Sequence, residues 1–276
     1  MRDSAAATTS TRLRLVFVGW GAIAQATARL LHERSTPARI VAVATRDPTE
    51  SRPHLPPEAL LLAGPQDLGR LEADVVIEVA DRQAVAPWGR AALDAGLDFV
   101  VSSVSAFAEA EILEELTELA LRNGAQIHIP PGALGGVDAL AAATAMRIGT
   151  VEHRIIKPPH AWLGTLAEDL CNLRVLTHAE AFFEGTAAEA ASQFPKNANS
   201  VLTTALAGAG AAATHVTLIA DPHTEVNRHE IRADGEFGEL AVALSNRPLD
   251  QNPRSSAMTA LSLVRCIENR RKPLII

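Results

Sequence analysis

Tyrosine is absent from this chain, and the other aromatics amount to three Trp and seven Phe. That scarcity argues against an aromatic platform for stacking bases or sugars. Cysteine is nearly as scarce. Cys171 and Cys266 are the only two, and neither stands in a CxxC pair. No disulfide framework or cysteine-ligated zinc site follows from them, and a reduced pair in a cytoplasmic protein is the expectation. Positive charge is in deficit, with 25 Lys and Arg against 32 Asp and Glu and a net charge of -7. No basic stripe is visible, so nucleic acid is not an expected partner. No apolar run approaches the ~20 residues of a membrane helix, so no membrane partner is expected either. Residues 1–12 are small and polar without an apolar h-region. They read as a flexible tail rather than a secretory signal. The histidines show no metal-ligand spacing with Cys, Asp or Glu, and no metal is expected.

What is present is a large apolar fraction, 47% of 276 residues. That is enough for one large or two modest domains. Apolar strand-like runs occur at 13–18, 40–44, 74–80, 98–102 and 126–130. Helical patterns fall between them at 22–33, 88–95 and 109–123, the last two stopped by Gly96 and Gly124. Alternating strands and helices, with strands apolar throughout, predict a doubly wound parallel α/β sheet.

The pattern changes after Pro131. A glycine-rich turn at 132–136 is followed by a helical pattern at 137–147. Alternating segments follow at 151–157, 214–220, 227–233 and 238–244. Helices are expected at 179–183, 186–194, 199–209 and 255–269, the last preceded by Asn252-Pro253 as a start signal. This predicts a C-terminal α+β unit with a mixed or antiparallel sheet. The expected division is a tail at 1–12, a dinucleotide-binding domain at 13–133, a substrate domain at 134–252 and a C-terminal helix within 253–276 that packs back on the first domain.

Gly19-Trp20-Gly21-Ala22-Ile23-Ala24 lies between the first strand and the first helix. It has the form G-x-G-x-x-A. The first Gly permits a tight turn, the second lets the backbone approach a pyrophosphate, and the small third residue permits close helix–strand packing. The helix start, at Ala22 and Ile23, offers N–H groups and a positive dipole end to phosphate. Gly19, Gly21, Ala22 and Ile23 are therefore candidate cofactor-binding residues. The second strand runs into Thr45-Arg46-Asp47. Arg46 suits a 2′-phosphate and Asp47 suits a ribose hydroxyl, so both NAD and NADP stay open.

The second candidate centre is Ala220-Asp221-Pro222-His223-Thr224-Glu225-Val226-Asn227-Arg228-His229-Glu230-Ile231. A histidine titrates near neutral pH and suits proton transfer. His229 lies in an alternating segment and His223 in a turn after Pro222, where Asp221 caps. By residues alone, His229 is either an acid/base group or an idle strand-edge histidine. His160 follows Pro158-Pro159 and reads as a loop residue. Lys196, Lys157, Arg154 and Arg228 are candidate cations for an acidic substrate, with Lys196 the best placed.

These stretches together resemble the L-aspartate dehydrogenase family. The resemblance rests on 19–24, 74–80, 103–108, 131–140, 183–199, 220–231 and 235–238. The combination of Phe194-Pro195-Lys196-Asn197 with Ala-Asp-Pro…Asn-x-His-x-Ile is the most specific part. Ala24, Ser105 and Pro131 depart from the residues common in the family. The resemblance implies a Rossmann domain followed by an α+β domain in a homodimer. It also implies oxidation of L-aspartate with NAD or NADP to iminosuccinate, then oxaloacetate and ammonia. It makes His229 the catalytic residue and puts Ala133 and Asn199 against the nicotinamide. Two other functions remain open: a two-domain oxidoreductase of another small amino or hydroxy acid, or a non-catalytic dinucleotide sensor.

Overall fold

The structure is a computed structural model, and it describes residues 12–47, 49, 52–249 and 252–276. The expected tail at 1–12 lies outside the described residues except for Arg12. The first part runs β1 (Leu13–Val18), α1 (Ala22–Glu33), β2 (Ala38–Ala44), β3 (Leu60–Leu62), β4 (Val75–Glu78), α2 (Arg82–Asp94), β5 (Asp98–Val101), α3 (Ala110–Asn123) and β6 (Ile127–His128). The second runs α4 (Val137–Ala143), β7 (Ile148–Lys157), α5 (Ala167–Leu170), β8 (Glu180–Thr186), α6 (Ala187–Gln193), α7 (Ala198–Ala207), β9 (Thr214–Ala220), β10 (Asn227–Gly235) and β11 (Gly238–Asn246). A hairpin of β12 (Pro248–Leu249) and β13 (Asn252–Ser256) leads into α8 (Ala257–Glu268).

The first sheet has the order β3-β2-β1-β4-β5-β6, and all its pairings are parallel. Alternation along the central strand explains its two layers. Leu13, Leu15 and Phe17 pack in one core with Leu31 of α1 and Leu263, Val264 and Ile267 of α8. Val16 and Val18 pack in the other with Leu93 of α2 and Leu116 of α3. A strand covered on both faces is largely apolar, as β1 is apart from Arg14 near its start, which pairs with Glu72 and Asp74. Strand order reverses direction between β1 and β4, and in such sheets ligands sit beyond the strand C-termini at that crevice.

α8 is tied to the first sheet by charge as well as packing. Glu268 accepts from Arg34 Nε at 2.7 Å and Nη2 at 3.0 Å, and from Thr36 Oγ1 at 2.9 Å. The Arg34 guanidinium holds this carboxyl down at about 2.

The second sheet has the order β11-β10-β7-β9-β8, with β7 and β9 parallel and the other pairs antiparallel. Val151, His153 and Ile155 of β7 and His229, Ile231 and Ala233 of β10 are its buried inward positions. Helices α6 and α7 cover that face around Phe194, Val201 and Ala205.

Several elements differ from expectation. Residues 180–186 form strand β8, not the helix expected at 179–183. Phe182 and Phe183 spread their rings over Phe194, and Phe182 also meets Trp162, which favours extended chain. The helix begins only at Ala187, where Thr186 and Glu189 form a reciprocal capping box. Helix α2 starts at Arg82 rather than 88, because the Asp81 side chain accepts from the N–H groups of Gln83 and Ala84, and Pro87 lies inside the helix. The helix expected at 137–147 ends at Ala143. The short edge strand β3 was not expected.

Candidate functional site

The cofactor loop sits at the β1/β4 crevice. Gly19 has φ +96°, and a Cβ there would lie 2.9 Å from the Ala80 Cα and the Val79 carbonyl. Only glycine fits. Trp20 pins the loop from below, donating to the Pro53 carbonyl at 3.0 Å and meeting Phe17 edge-on. Gly21 differs: a Cβ there would meet nothing within 4 Å. It precedes α1 with no side-chain cap and no acidic residue in the first turn. The N–H groups of the first turn, Ala22 and Ile23 among them, have no intrahelical partner. Open space, uncapped donors and a dipole end fit a pyrophosphate. Ala24 is fully buried against the sheet, as close packing of helix and strand requires.

Glu78, at the end of β4, is a buried carboxylate beneath this crevice. It accepts from Ser103 N at 2.9 Å, Ser103 Oγ at 2.8 Å and Ala80 N at 2.8 Å. Burial pushes its carboxyl up to about 7 despite those donors. Arg46, after β2, is exposed and pairs with Asp81 at 2.6 Å.

Asn199 and Ala133 lie where the two halves of the chain meet. Asn199 is exposed near the start of α7, and its Oδ1 accepts from Ser105 N at 2.9 Å, in the turn after β5. The Ala133 carbonyl accepts from Asn246 Nδ2 at 2.9 Å, and Asn246 Oδ1 accepts from Ser256 Oγ at 2.9 Å. Asn246 is the register partner of Asn227, two residues before His229 on the same face.

His229 is buried at 7% exposure. Its Nδ1 lies 3.0 Å from Nε2 of His153, a residue with no exposed surface. Nδ1 of His153 lies 3.0 Å from Thr204 Oγ1 on α7. Burial pushes His153 down to about 3. Burial, then the His153 and Lys157 neighbours, hold His229 well below the ordinary imidazole range. Both rings are therefore neutral at pH 7. Lys157 extends from the same face of β7. Its ammonium reaches Asn197 Oδ1 and stands 4.8 Å from the Trp162 ring centroid. Burial pushes it down to about 8, and among the described residues no carboxylate pairs with it. A partly desolvated cation beside a neutral imidazole suits an anionic substrate and a proton-transfer step.

The other candidates lie elsewhere. Lys196 is exposed and donates to the Gly164 carbonyl at 3.0 Å. Arg154 and Arg228 both pair with Glu230, on the face of the sheet away from His229. His223 is exposed, its N–H caught by Asp221 Oδ1 at 2.9 Å, and its Nε2 is 3.0 Å from the Thr177 carbonyl. His160 is exposed. Cys171 and Cys266 are free thiols. No group of three metal-ligating side chains occurs, and no helix is long and apolar enough to cross a membrane, among the described residues.

Sequence reasoning gave no role to His153, Thr204 or Glu78, and named Asn197 only as part of the Phe-Pro-Lys-Asn stretch. The one usable signal was parity: His153 interrupts the inward apolar positions Val151 and Ile155, where an unpaired polar side chain is costly.

Known proteins match along nearly the whole chain. Residues 138–270 match the family described as aspartate dehydrogenase, C-terminal, and residues 19–130 match the homoserine dehydrogenase NAD-binding domain. An L-aspartate dehydrogenase of Brucella anthropi is 51% identical, over 93% of this chain and 96% of its own length. Another, from a Polaromonas species, is 39% identical over 96% of this chain and 100% of its own length. The crystal structure of aspartate dehydrogenase from Thermotoga maritima shares the fold, with a TM-score of 0.79 and 24% identity over 96% of this chain and 99% of that one.

Proposed function

The chain belongs to the L-aspartate dehydrogenase family, and from that premise we propose how its residues carry out the reaction: L-aspartate and NAD or NADP give iminosuccinate, the reduced dinucleotide and a proton, and water then converts iminosuccinate to oxaloacetate and ammonia. The observation that carries this assignment is the placement of His229 and Lys157 on one inward face of the second sheet, where burial lowers the pKa of each.

Gly19, Gly21, Ala22 and Ile23 hold the pyrophosphate, and Ala133 and Asn199 position the nicotinamide end. The bound dinucleotide supplies a hydride acceptor. Lys157, oriented by Asn197, holds a substrate carboxylate as a point charge. Lys196, adjacent to Asn197, is the second candidate cation. His229 takes the proton that the substrate ammonium must lose before an imine can form. It then serves the attack of water on the imine carbon. Residues 13–133 form the cofactor domain and 134–252 the substrate domain, with the helix of 253–276 returning to the first. A homodimer in the cytoplasm accompanies this reading. Two free thiols support the compartment, and light scattering tests the assembly.

The test is incubation with L-aspartate and either dinucleotide while following absorbance of the reduced nicotinamide. Turnover only on another amino or hydroxy acid supports the alternative oxidoreductase. Tight dinucleotide binding without turnover supports a sensor.

A further inference from the structure

The residues behind His229 carry a direction as well as a position. Three contacts run in series from the active face into helix α7. His229 Nδ1 is 3.0 Å from His153 Nε2, His153 Nδ1 is 3.0 Å from Thr204 Oγ1, and Thr204 Oγ1 is 3.3 Å from the Ser200 carbonyl. His153 and Thr204 have no exposed surface, so water does not complete this chain. The other end is open. His229 Nε2 has no hydrogen-bond partner among the described residues, yet it is not among the buried atoms left without one. It therefore touches the solvent-accessible space of the site.

Proton counting fixes the order. A carbonyl only accepts, a threonine hydroxyl has one proton, and a neutral imidazole has one N–H. All three contacts are hydrogen bonds in one arrangement only. Thr204 donates to the Ser200 carbonyl. His153 Nδ1–H donates to Thr204. His229 Nδ1–H donates to His153 Nε2. The reverse order uses the threonine proton on His153 and leaves the Thr204–Ser200 contact without one. It also puts the last proton on His229 Nε2, where a base cannot work.

We propose that His153 and Thr204 are positioning residues that lock His229 into the Nδ1-protonated tautomer, so that its bare Nε2 faces the substrate as a base. The proposal rests on the assignment of His229 to proton transfer. It adds the device that makes the imidazole a base rather than an acid in its resting state. A neighbouring acceptor commonly sets the tautomer of a working histidine. Here a second imidazole does so. His153 carries no charge of its own, so it orients His229 without the ion pairing that a carboxylate would bring.

Other groups around His229 do not offer Nδ1 a rival partner. Lys157 on β7 faces the same side, but its ammonium is held by Asn197. Arg154, Arg228 and Glu230 pair on the opposite face of the sheet. Across the ladder β11 presents Leu244, and α7 presents Thr204.

Thr204→Val and Thr204→Ser in the full-length protein test this. Valine keeps the shape and removes the hydroxyl, so His153 loses its acceptor and the chain of donors can reverse. Expected for Thr204→Val is a kcat lower by about 100-fold, the scale of a misplaced general base. The KM for L-aspartate and the dinucleotide Kd stay within about twofold, and Thr204→Ser restores most of kcat. Nitrogen-15 NMR of the histidine rings reads the tautomer without turnover. In the wild type, His229 shows a protonated Nδ1 and a bare Nε2. In Thr204→Val the two exchange roles. A wild-type His229 protonated at Nε2, or a Thr204→Val enzyme with wild-type kcat, overturns the proposal. If the wild type turns over no L-aspartate, the functional reading fails, and the ring spectrum still decides the tautomer.

Discussion

Asn199 Oδ1 accepts the backbone N–H of Ser105 at 2.9 Å and so joins α7 to the turn that follows β5. One side chain links the edge where the strands of the first sheet end to the helix that carries Thr204. Removing it as Asn199→Ala leaves the exposed Ser105 N–H to water. The expected loss of stability is about 1 kcal/mol, the net worth of one hydrogen bond. The functional effect is larger, because the two halves of the cleft lose register. The dinucleotide Kd should rise by about tenfold in a fluorescence titration, equivalent to 1.4 kcal/mol. An unchanged Kd separates Asn199 from the cofactor.

The two glycines of the loop make opposite predictions. Gly19→Ala drives a Cβ into the Ala80 and Val79 backbone from a left-handed φ, so it should lower the melting temperature without any ligand. Gly21→Ala has open space and an ordinary φ of -81°, so the unliganded protein should lose no more than about 1 kcal/mol. Its methyl group then stands where the pyrophosphate approaches, and dinucleotide affinity should fall. Paired melting curves, with and without NAD or NADP, separate the two. Equal ligand-induced stabilisation in Gly21→Ala and wild type contradicts the assignment of that space.

Lys157→Met keeps the apolar stem against Trp162 and removes the charge. The expected outcome is a KM for L-aspartate raised by about 10²-fold, since an acidic group bound without its cation forfeits a charge-assisted bond of roughly 1.5–3 kcal/mol. Lys196→Met should change it far less. Steady-state kinetics with both variants checks this, and a larger effect at Lys196 reverses the assignment.

The buried histidine pair also sets an acid limit. His153 has a folded value of about 3, below its unfolded value near 6.5, so the unfolded chain binds a proton there that the folded chain does not. The stability it contributes is complete above pH 6.5 and is lost as pH falls from there towards 3. The slope is about 1.4 kcal/mol per pH unit for this one group. His229 is depressed in the same direction and steepens it. Urea unfolding at pH 7, 6 and 5 should show the loss, and His153→Gln should flatten it. A variant slope equal to wild type would rule out the buried neutral ring as the cause.

The first sheet was legible because β1, β4 and β5 are apolar on both faces and Gly19 to Ala24 stands where a strand must turn into a helix. The limits of α2 and β8 were not. A capping aspartate outweighed Pro87, and aromatic packing onto Phe194 pulled 180–186 out of the helical pattern. The candidate site was half legible. His229 stood out beside its Asp-Pro and Asn neighbours. Its partner His153 lies 76 residues earlier, brought near by a sheet register that no local pattern encodes. Motif context put Lys196 ahead of Lys157, and it is burial that distinguishes Lys157 as the proposed carboxylate cation. Glu78 read as one more residue of a strand, because its three donors come from backbone and a serine in the folded crevice.

The most direct test of the central claim is His229→Ala, assayed for reduced nicotinamide formed from L-aspartate alongside a dinucleotide titration. The account predicts at least about 100-fold loss of kcat with dinucleotide affinity unchanged. A variant that turns over L-aspartate at the wild-type rate contradicts it.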